Sequence, residues 1–174
     1  IFDQLWWVLA LIALVRLART GERRWWIALG LAGGFGLLTK WSILFLGFGV
    51  LVGLVATPLR RSLLTPWPYV TLAIALLVGH PSLAGQVALD WPLRLQMEGL
   101  REAQLGRIGF GEYAGTQVLF SPPGAVLAAA GLLGLLAWRG LRPWRVVGVA
   151  CATVWVLLLV LKGKSYYVGP IFPA

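Results

Sequence analysis

The stretch at residues 162–170, KGKSYYVGP, gathers side chains that could bind a phosphate. It contains two lysines and two tyrosines, Lys162, Lys164, Tyr166 and Tyr167. An almost unbroken apolar run, residues 146–161, precedes it. A lysine at the end of such a run can anchor a helix at the lipid headgroups, but lysine is also a common point-charge partner for phosphate. Both interpretations remain open at this stage.

Lys40, the one other lysine, and Asp3 could complete such a site. Lys40 interrupts the mostly apolar residues 25–57, and Asp3 precedes the first apolar run, where an acid also stabilises a helix N-terminus. If both lie on the same side of a membrane as Lys164, a phosphate could bind there with a carboxylate nearby. The alternative is that each charge is a separate helix-end anchor. The single His80 and single Cys151 give no metal-ligand spacing, so we expect neither a metal nor another cofactor.

The composition predicts an integral membrane protein. Of the 174 residues, 59% are hydrophobic and 12% are charged, whereas a soluble domain carries about 25% charged residues. The apolar stretches are long and do not alternate with polar residues, which favours helices over strands. Positive-inside loops, together with an anionic lipid-linked ligand, account for the net charge of +9 more simply than nucleic acid does.

Six apolar segments predict an all-α, multi-pass helix bundle in one transmembrane domain. The passes are expected near residues 4–18, 25–38, 43–56, 66–79, 118–138 and 146–161. Two passes that turn at Lys40 are favoured over one long helix, which would bury the lysine midway across the membrane. Burying an unpaired lysine there costs about 2.5–3.5 kcal/mol of insertion free energy. Two pairs of glycines with GxxxG spacing, Gly30 with Gly34 and Gly49 with Gly53, predict close helix contacts.

Residues 80–117 form the predicted outer loop. Leu89, Leu93 and Met97 lie at helical spacing, so we expect a short amphipathic helix on the membrane surface. In this topology nine arginines and one acid lie on the cytoplasmic side, against six cations and five acids outside. The positive-inside rule thus places Asp3, Lys40, the loop and Lys164 together on the outer face.

Four stretches, taken in their order, resemble bacterial members of the family 39 glycosyltransferases, the protein mannosyltransferase-like group to which the lipid A aminoarabinose transferases are related. They are IFDQLWWVLALIALVRLARTGERRWW, GLAGGFGLLTKW, ALDWPLRLQ and KGKSYYVGPIFPA. The resemblance covers essentially the whole chain, which is similar to the central part of such proteins. We therefore expect a fragment of a longer protein, with the family's main catalytic acid upstream of Ile1.

The resemblance implies a GT-C fold in the bacterial inner membrane and a polyprenyl-phosphate-linked sugar donor. A hexosyl or pentosyl group would be transferred, with inversion, to a lipid, glycan or protein acceptor on the outer face. Lys40 and Lys164 correspond to family lysines that would hold the donor phosphate, and Tyr166 or Tyr167 would hydrogen-bond it. Asp3 resembles an acid that would assist catalysis at the sugar or acceptor. KGKSYYVGP departs from the KLPTYxLP form of the lipid A enzymes.

Two other functions fit the same charges. A transporter or lipid-flipping protein would use a cationic outer vestibule to recognise anions, and it would show an internal repeat or charges at mid-membrane depth. A membrane scaffold without a site would use the lysines only as anchors. The chain shows no convincing repeat, and the predicted topology leaves no charge at mid-depth.

Overall fold

The computed structural model describes residues 2–103 and 122–161, with the isolated positions 111, 115 and 119 between them. The elements in the two long ranges are all helical. They are α1 (Phe2–Thr20), α2 (Arg24–Thr39), α3 (Ile43–Ala56), α4 (Trp67–Ala88), α5 (Pro92–Ala103), α6 (Pro122–Ala137) and α7 (Arg145–Val160). Two 3₁₀ helices, Pro58–Leu64 and Arg139–Trp144, precede α4 and α7. The prediction of an all-helical chain is confirmed for this part of the sequence.

Local signals explain where α1 and α2 end. Gly21 adopts a positive φ of 67° after α1, and its N–H donates to the Leu17 carbonyl at 2.8 Å, the usual ending of a helix on glycine. Lys40 is extended (φ −163°, ψ 134°) and ends α2. Two helices therefore flank a short turn at Lys40, as the sequence predicts, instead of one long helix with a buried lysine.

Both GxxxG pairs pack against another helix. A Cβ on Gly34 would lie 2.6 Å from the Cβ of Val78 in α4. A Cβ on Gly49 would lie 2.6 Å from the backbone oxygen of Ala150 in α7. Real Cβ atoms essentially never approach other atoms so closely. The predicted close contacts are confirmed, and they fix α2 on α4 and α3 on α7.

The buried core lies between α1, α2, α3 and α7. The largest fully buried side chains are Trp7, Leu14, Leu17, Leu46, Leu158, Val146 and Val154. In contrast, α4 buries only Gly79 and exposes apolar side chains such as Leu72 and Leu77. Cys151 is buried in α7 as part of the core.

α4 is longer than the sequence predicts. The predicted pass ends at residue 79, and the predicted outer loop begins at His80. The observed helix continues through Pro81 to Ala88. A proline inside a helix removes one backbone hydrogen bond, which a membrane helix can tolerate. His80 is therefore an exposed residue within α4 instead of a helix-end residue.

Among the described residues, two regions are long and apolar enough to cross a membrane, Trp67–Ala88 and Arg139–Val160. A third exists if Ile43–Ala56 and Pro58–Leu64, which are bent by 105°, count as one span. The described helices support a membrane protein. Six complete passes are not confirmed, because a helix such as α3, with 14 residues, reaches only about 21 Å at 1.5 Å per residue, against about 30 Å of hydrocarbon.

α5 is the amphipathic helix expected within the outer loop. Leu93 is half-buried, whereas Arg94 and Glu98 are exposed. The Arg94 Nε donates to Glu98 Oε1 at 3.1 Å, as their spacing along a helix predicts. The helix begins directly after a turn at Asp90 and Trp91.

Candidate functional site

Asp3, Lys40 and Ser42 come together at one end of the helix bundle, and we call them the Asp3 cluster. The Ser42 hydroxyl lies 2.8 Å from Asp3 Oδ1 and 3.0 Å from Oδ2, and it donates to this carboxylate. The Lys40 Nζ lies 3.7 Å from Asp3 Oδ2. A carboxylate, an ammonium group and a hydroxyl thus meet, although Asp3 and Ser42 are 39 residues apart in the sequence.

The three side chains of the cluster differ in how much of each is exposed. Ser42 is 7% exposed, whereas the side chains of Asp3 and Lys40 are 21% and 40% exposed. Hydrogen bonds that involve a charged group are stronger than neutral ones, so Ser42 holds the carboxylate in place beneath the lysine. The Lys40 ammonium can be reached from outside the bundle while Asp3 fixes its position.

The helices bring these residues together through antiparallel packing of α1 on α2. Trp6, near the start of α1, stacks on Phe35, near the end of α2, with ring centroids 5.0 Å apart and planes 17° apart. The start of α1 therefore lies beside the Lys40 turn. Leu11 and Leu14, deeper in α1, are buried in the core and hold this alignment.

Trp41 connects the cluster to α4 and to the turn before α5. Its Nε1–H donates to the Ser82 hydroxyl at 3.0 Å. The Trp41 and Trp91 rings meet edge to face, with centroids 6.3 Å apart and planes at 76°. The beginning of the predicted outer loop therefore lies at the same end of the bundle as Asp3 and Lys40.

The arginine-rich turns lie at the other end of α1, α2 and α4. The Arg23 guanidinium lies over the ring of Trp67, 5.3 Å from its centroid, and Arg24 lies 5.2 Å from that of Trp25. Such cation–π contacts suit residues at a membrane interface. The two ends of these helices thus carry different chemistry, a mixed acid–base cluster at one and arginines with tryptophans at the other.

Three of the predicted site residues, Lys164, Tyr166 and Tyr167, lie outside the described residues, as does the neighbouring Lys162. Whether Lys164 reaches the phosphate expected at Lys40 therefore stays a prediction. The last described residue before them is Leu161, which directly follows α7.

Sequence reasoning missed Ser42 and the tryptophan pair, Trp41 and Trp91. The available signal for Ser42 was its position two residues after Lys40 in the same turn. No local sequence pattern predicts that Ser42 contacts Asp3, because that contact depends on how α1 packs against the Lys40 turn. Trp91 belongs to the ALDWPLRLQ stretch, but its contact with Trp41 likewise needs the packed structure.

Replacing Ser42 with alanine is expected to lower the free energy of unfolding by about 1.5–3 kcal/mol, the usual contribution of a hydrogen bond to a charged group. Chemical unfolding of the full-length protein in detergent would measure the loss. Ser62→Ala is a matched control, because Ser62 donates only to the Leu59 carbonyl in its own 3₁₀ helix. In an Asp3→Ala background the Ser42 substitution should cost much less, and fully additive effects would contradict the contact.

Comparison with known families places the Asp3 cluster inside a matched region. Residues 1–84 match the family described as dolichyl-phosphate-mannose-protein mannosyltransferase. This range contains α1 to α3 and most of α4, but neither α5 nor residues 162–174. Searches of curated proteins and of solved structures gave no match.

Proposed function

Because the match over residues 1–84 supports a membrane glycosyltransferase of the family 39, mannosyltransferase-like group, we propose that the protein transfers a sugar from a polyprenyl-phosphate donor to an acceptor on the outer face of the membrane. The acceptor is a lipid, a glycan or a protein. The proposed location is the bacterial inner membrane.

The observation that carries this proposal is the Asp3 cluster itself. Lys40 and Asp3, which the resemblance singles out as a phosphate ligand and a catalytic acid, are 3.7 Å apart within the matched region. The ion pair keeps the ammonium at a fixed place, which suits recognition of a phosphate whose position must be controlled.

In the proposed reaction an acceptor hydroxyl attacks the anomeric carbon of the donor sugar. The bond between that carbon and the phosphate oxygen breaks, and the hydroxyl proton passes to a carboxylate base. Attack from the face opposite the leaving group inverts the anomeric carbon. Negative charge grows on the departing polyprenyl phosphate, and a cation placed beside it lowers the barrier.

Each candidate residue has a place in this reaction. Lys40 would hold the donor phosphate, and Lys164, with Tyr166 or Tyr167, would complete its binding. Asp3 would orient Lys40 and assist at the sugar or the acceptor.

The direct test is a transfer assay with the full-length protein in liposomes. Polyprenyl-phosphate sugars and nucleotide sugars are offered separately, and released polyprenyl phosphate is measured. We expect turnover with a lipid-phosphate sugar only, and a product whose anomeric configuration, read by NMR, is opposite to that of the donor. Absence of transfer, combined with anion or lipid movement across the liposome membrane, would instead indicate the transporter function.

A further inference from the structure

The turn between α4 and α5 holds a tryptophan in an unusual backbone conformation beside the Asp3 cluster. Asp90 and Trp91 have φ values of 54° and 59°. This left-handed region is uncommon for any residue but glycine, and it is a clear outlier for a bulky side chain such as tryptophan. Such conformations persist where the surrounding structure imposes them, and they occur often at ligand sites.

Gln86 accepts two hydrogen bonds from this turn and the start of α5. The Trp91 N–H donates to the Gln86 carbonyl at 2.7 Å, and the Leu93 N–H donates to the Gln86 side-chain Oε1 at 3.1 Å. The Trp91 carbonyl in turn accepts from the Arg94 N–H at 2.9 Å at the start of α5. These bonds hold Trp91 in place through the backbone, so that its side chain is positioned without being buried.

The Trp91 ring combines one aromatic contact with substantial exposure. It meets Trp41, which Ser82 holds by a hydrogen bond, yet Trp91 remains 47% exposed. Trp41 lies between Lys40 and Ser42 in sequence. An exposed aromatic surface therefore adjoins the residues proposed to receive a phosphate, and the exposed acid Asp90 directly precedes it.

We propose that Trp91, supported by Trp41, binds the sugar ring of the lipid-linked donor. The C–H groups on one face of a sugar ring form an apolar patch with a slight positive charge, which packs well on the electron-rich face of an indole. The carboxylate of Asp90 can accept hydrogen bonds from sugar hydroxyls at the edge of such a ring. The donor sugar is the favoured occupant because it is joined to the phosphate that Lys40 would hold.

This inference rests on the proposed function, so its test separates the sugar from the phosphate. The probes are polyprenyl phosphate without a sugar and polyprenyl phosphate bearing mannose, glucose or galactose. Their affinities for the full-length protein in nanodiscs are compared by native mass spectrometry. Wild type should bind at least one sugar-bearing lipid more tightly than the bare lipid phosphate.

Trp91→Ala should lower the affinity for that sugar-bearing lipid by about 10-fold, the range expected for one exposed aromatic contact. Its affinity for bare polyprenyl phosphate should stay unchanged. Trp91→Phe keeps a flat aromatic face and should retain most of the sugar-dependent gain. Trp138→Ala, which removes an exposed tryptophan beside the arginines, is the matched control and should leave both affinities unchanged.

The outcomes distinguish the two proposals. Suppose that Lys40→Ala lowers the affinity for both the sugar-bearing lipid and bare polyprenyl phosphate. If Trp91→Ala then changes neither affinity, or lowers the two equally, the sugar contact is wrong and the phosphate site stands. Equal binding of every lipid by wild type also overturns the sugar contact. If wild type binds none of the lipids, the proposed function and this inference both fail.

Discussion

Replacing Lys40 with alanine in the full-length protein is expected to lower donor-dependent sugar transfer by about 100-fold or more, the usual effect of removing a group that stabilises charge in a transition state. The reason is that Lys40 carries the positive charge of the Asp3 cluster, and its side chain is 40% exposed. Initial rates with a polyprenyl-phosphate sugar, measured at saturating donor, would show the loss.

Two further variants make this result specific. Lys40→Arg keeps the positive charge and should retain more activity than the alanine variant, although the larger guanidinium does not reproduce a point charge. Arg94→Ala removes an exposed cation that pairs only with Glu98 among the described residues, and activity should stay within about twofold because exposed ion pairs contribute little. Normal membrane insertion together with unchanged transfer by Lys40→Ala would remove Lys40 from the site.

Substitution of Gly49 by alanine is expected to destabilise the fold by about 3 kcal/mol or more, at the upper end of the cost of overpacking. The added Cβ would lie 2.6 Å from the backbone oxygen of Ala150 and 2.8 Å from a methyl group of Val154. A backbone atom cannot move aside as a flexible side chain can, so α3 and α7 must separate. Unfolding of the purified protein in detergent would measure the change.

Gly47 provides the matched control, because it lies in the same helix and a Cβ there would meet no atom within 4 Å. Gly47→Ala should leave stability unchanged or raise it by about 0.5–1 kcal/mol, since glycine is less favourable than alanine inside a helix. Equal effects of the two substitutions would show that α3 and α7 do not pack through Gly49.

The sequence predicts those features of the fold that depend on short-range chemistry. The end of α1 at Gly21 and the turn at Lys40 follow from a glycine and from a lysine placed between apolar runs. The GxxxG pairs predict close helix contacts because only their spacing along one helix is needed. α5 follows from the apolar spacing of Leu93 and Met97, whereas Leu89, predicted on the same face, lies at the end of α4.

Features that depend on contacts between distant segments could not be predicted. Ser42 receives its role from Asp3, and Trp91 receives its position from Trp41, across a packed bundle that no local pattern specifies. α4 extends beyond the predicted pass to Ala88, because a membrane helix can tolerate an internal proline such as Pro81. The number of passes also stays a prediction, since several apolar helices are shorter than the membrane is thick.

If the Asp3 cluster binds the phosphate of a lipid-linked donor, Lys40 must contact that phosphate. An experimental structure of the full-length protein with polyprenyl phosphate bound would give the distance from Lys40 Nζ to the nearest phosphate oxygen. We predict a distance of about 2.7–3.2 Å, with Lys164 bound to the same phosphate. A phosphate bound instead among the arginines at the opposite end, near Arg23 and Trp67, would contradict the account.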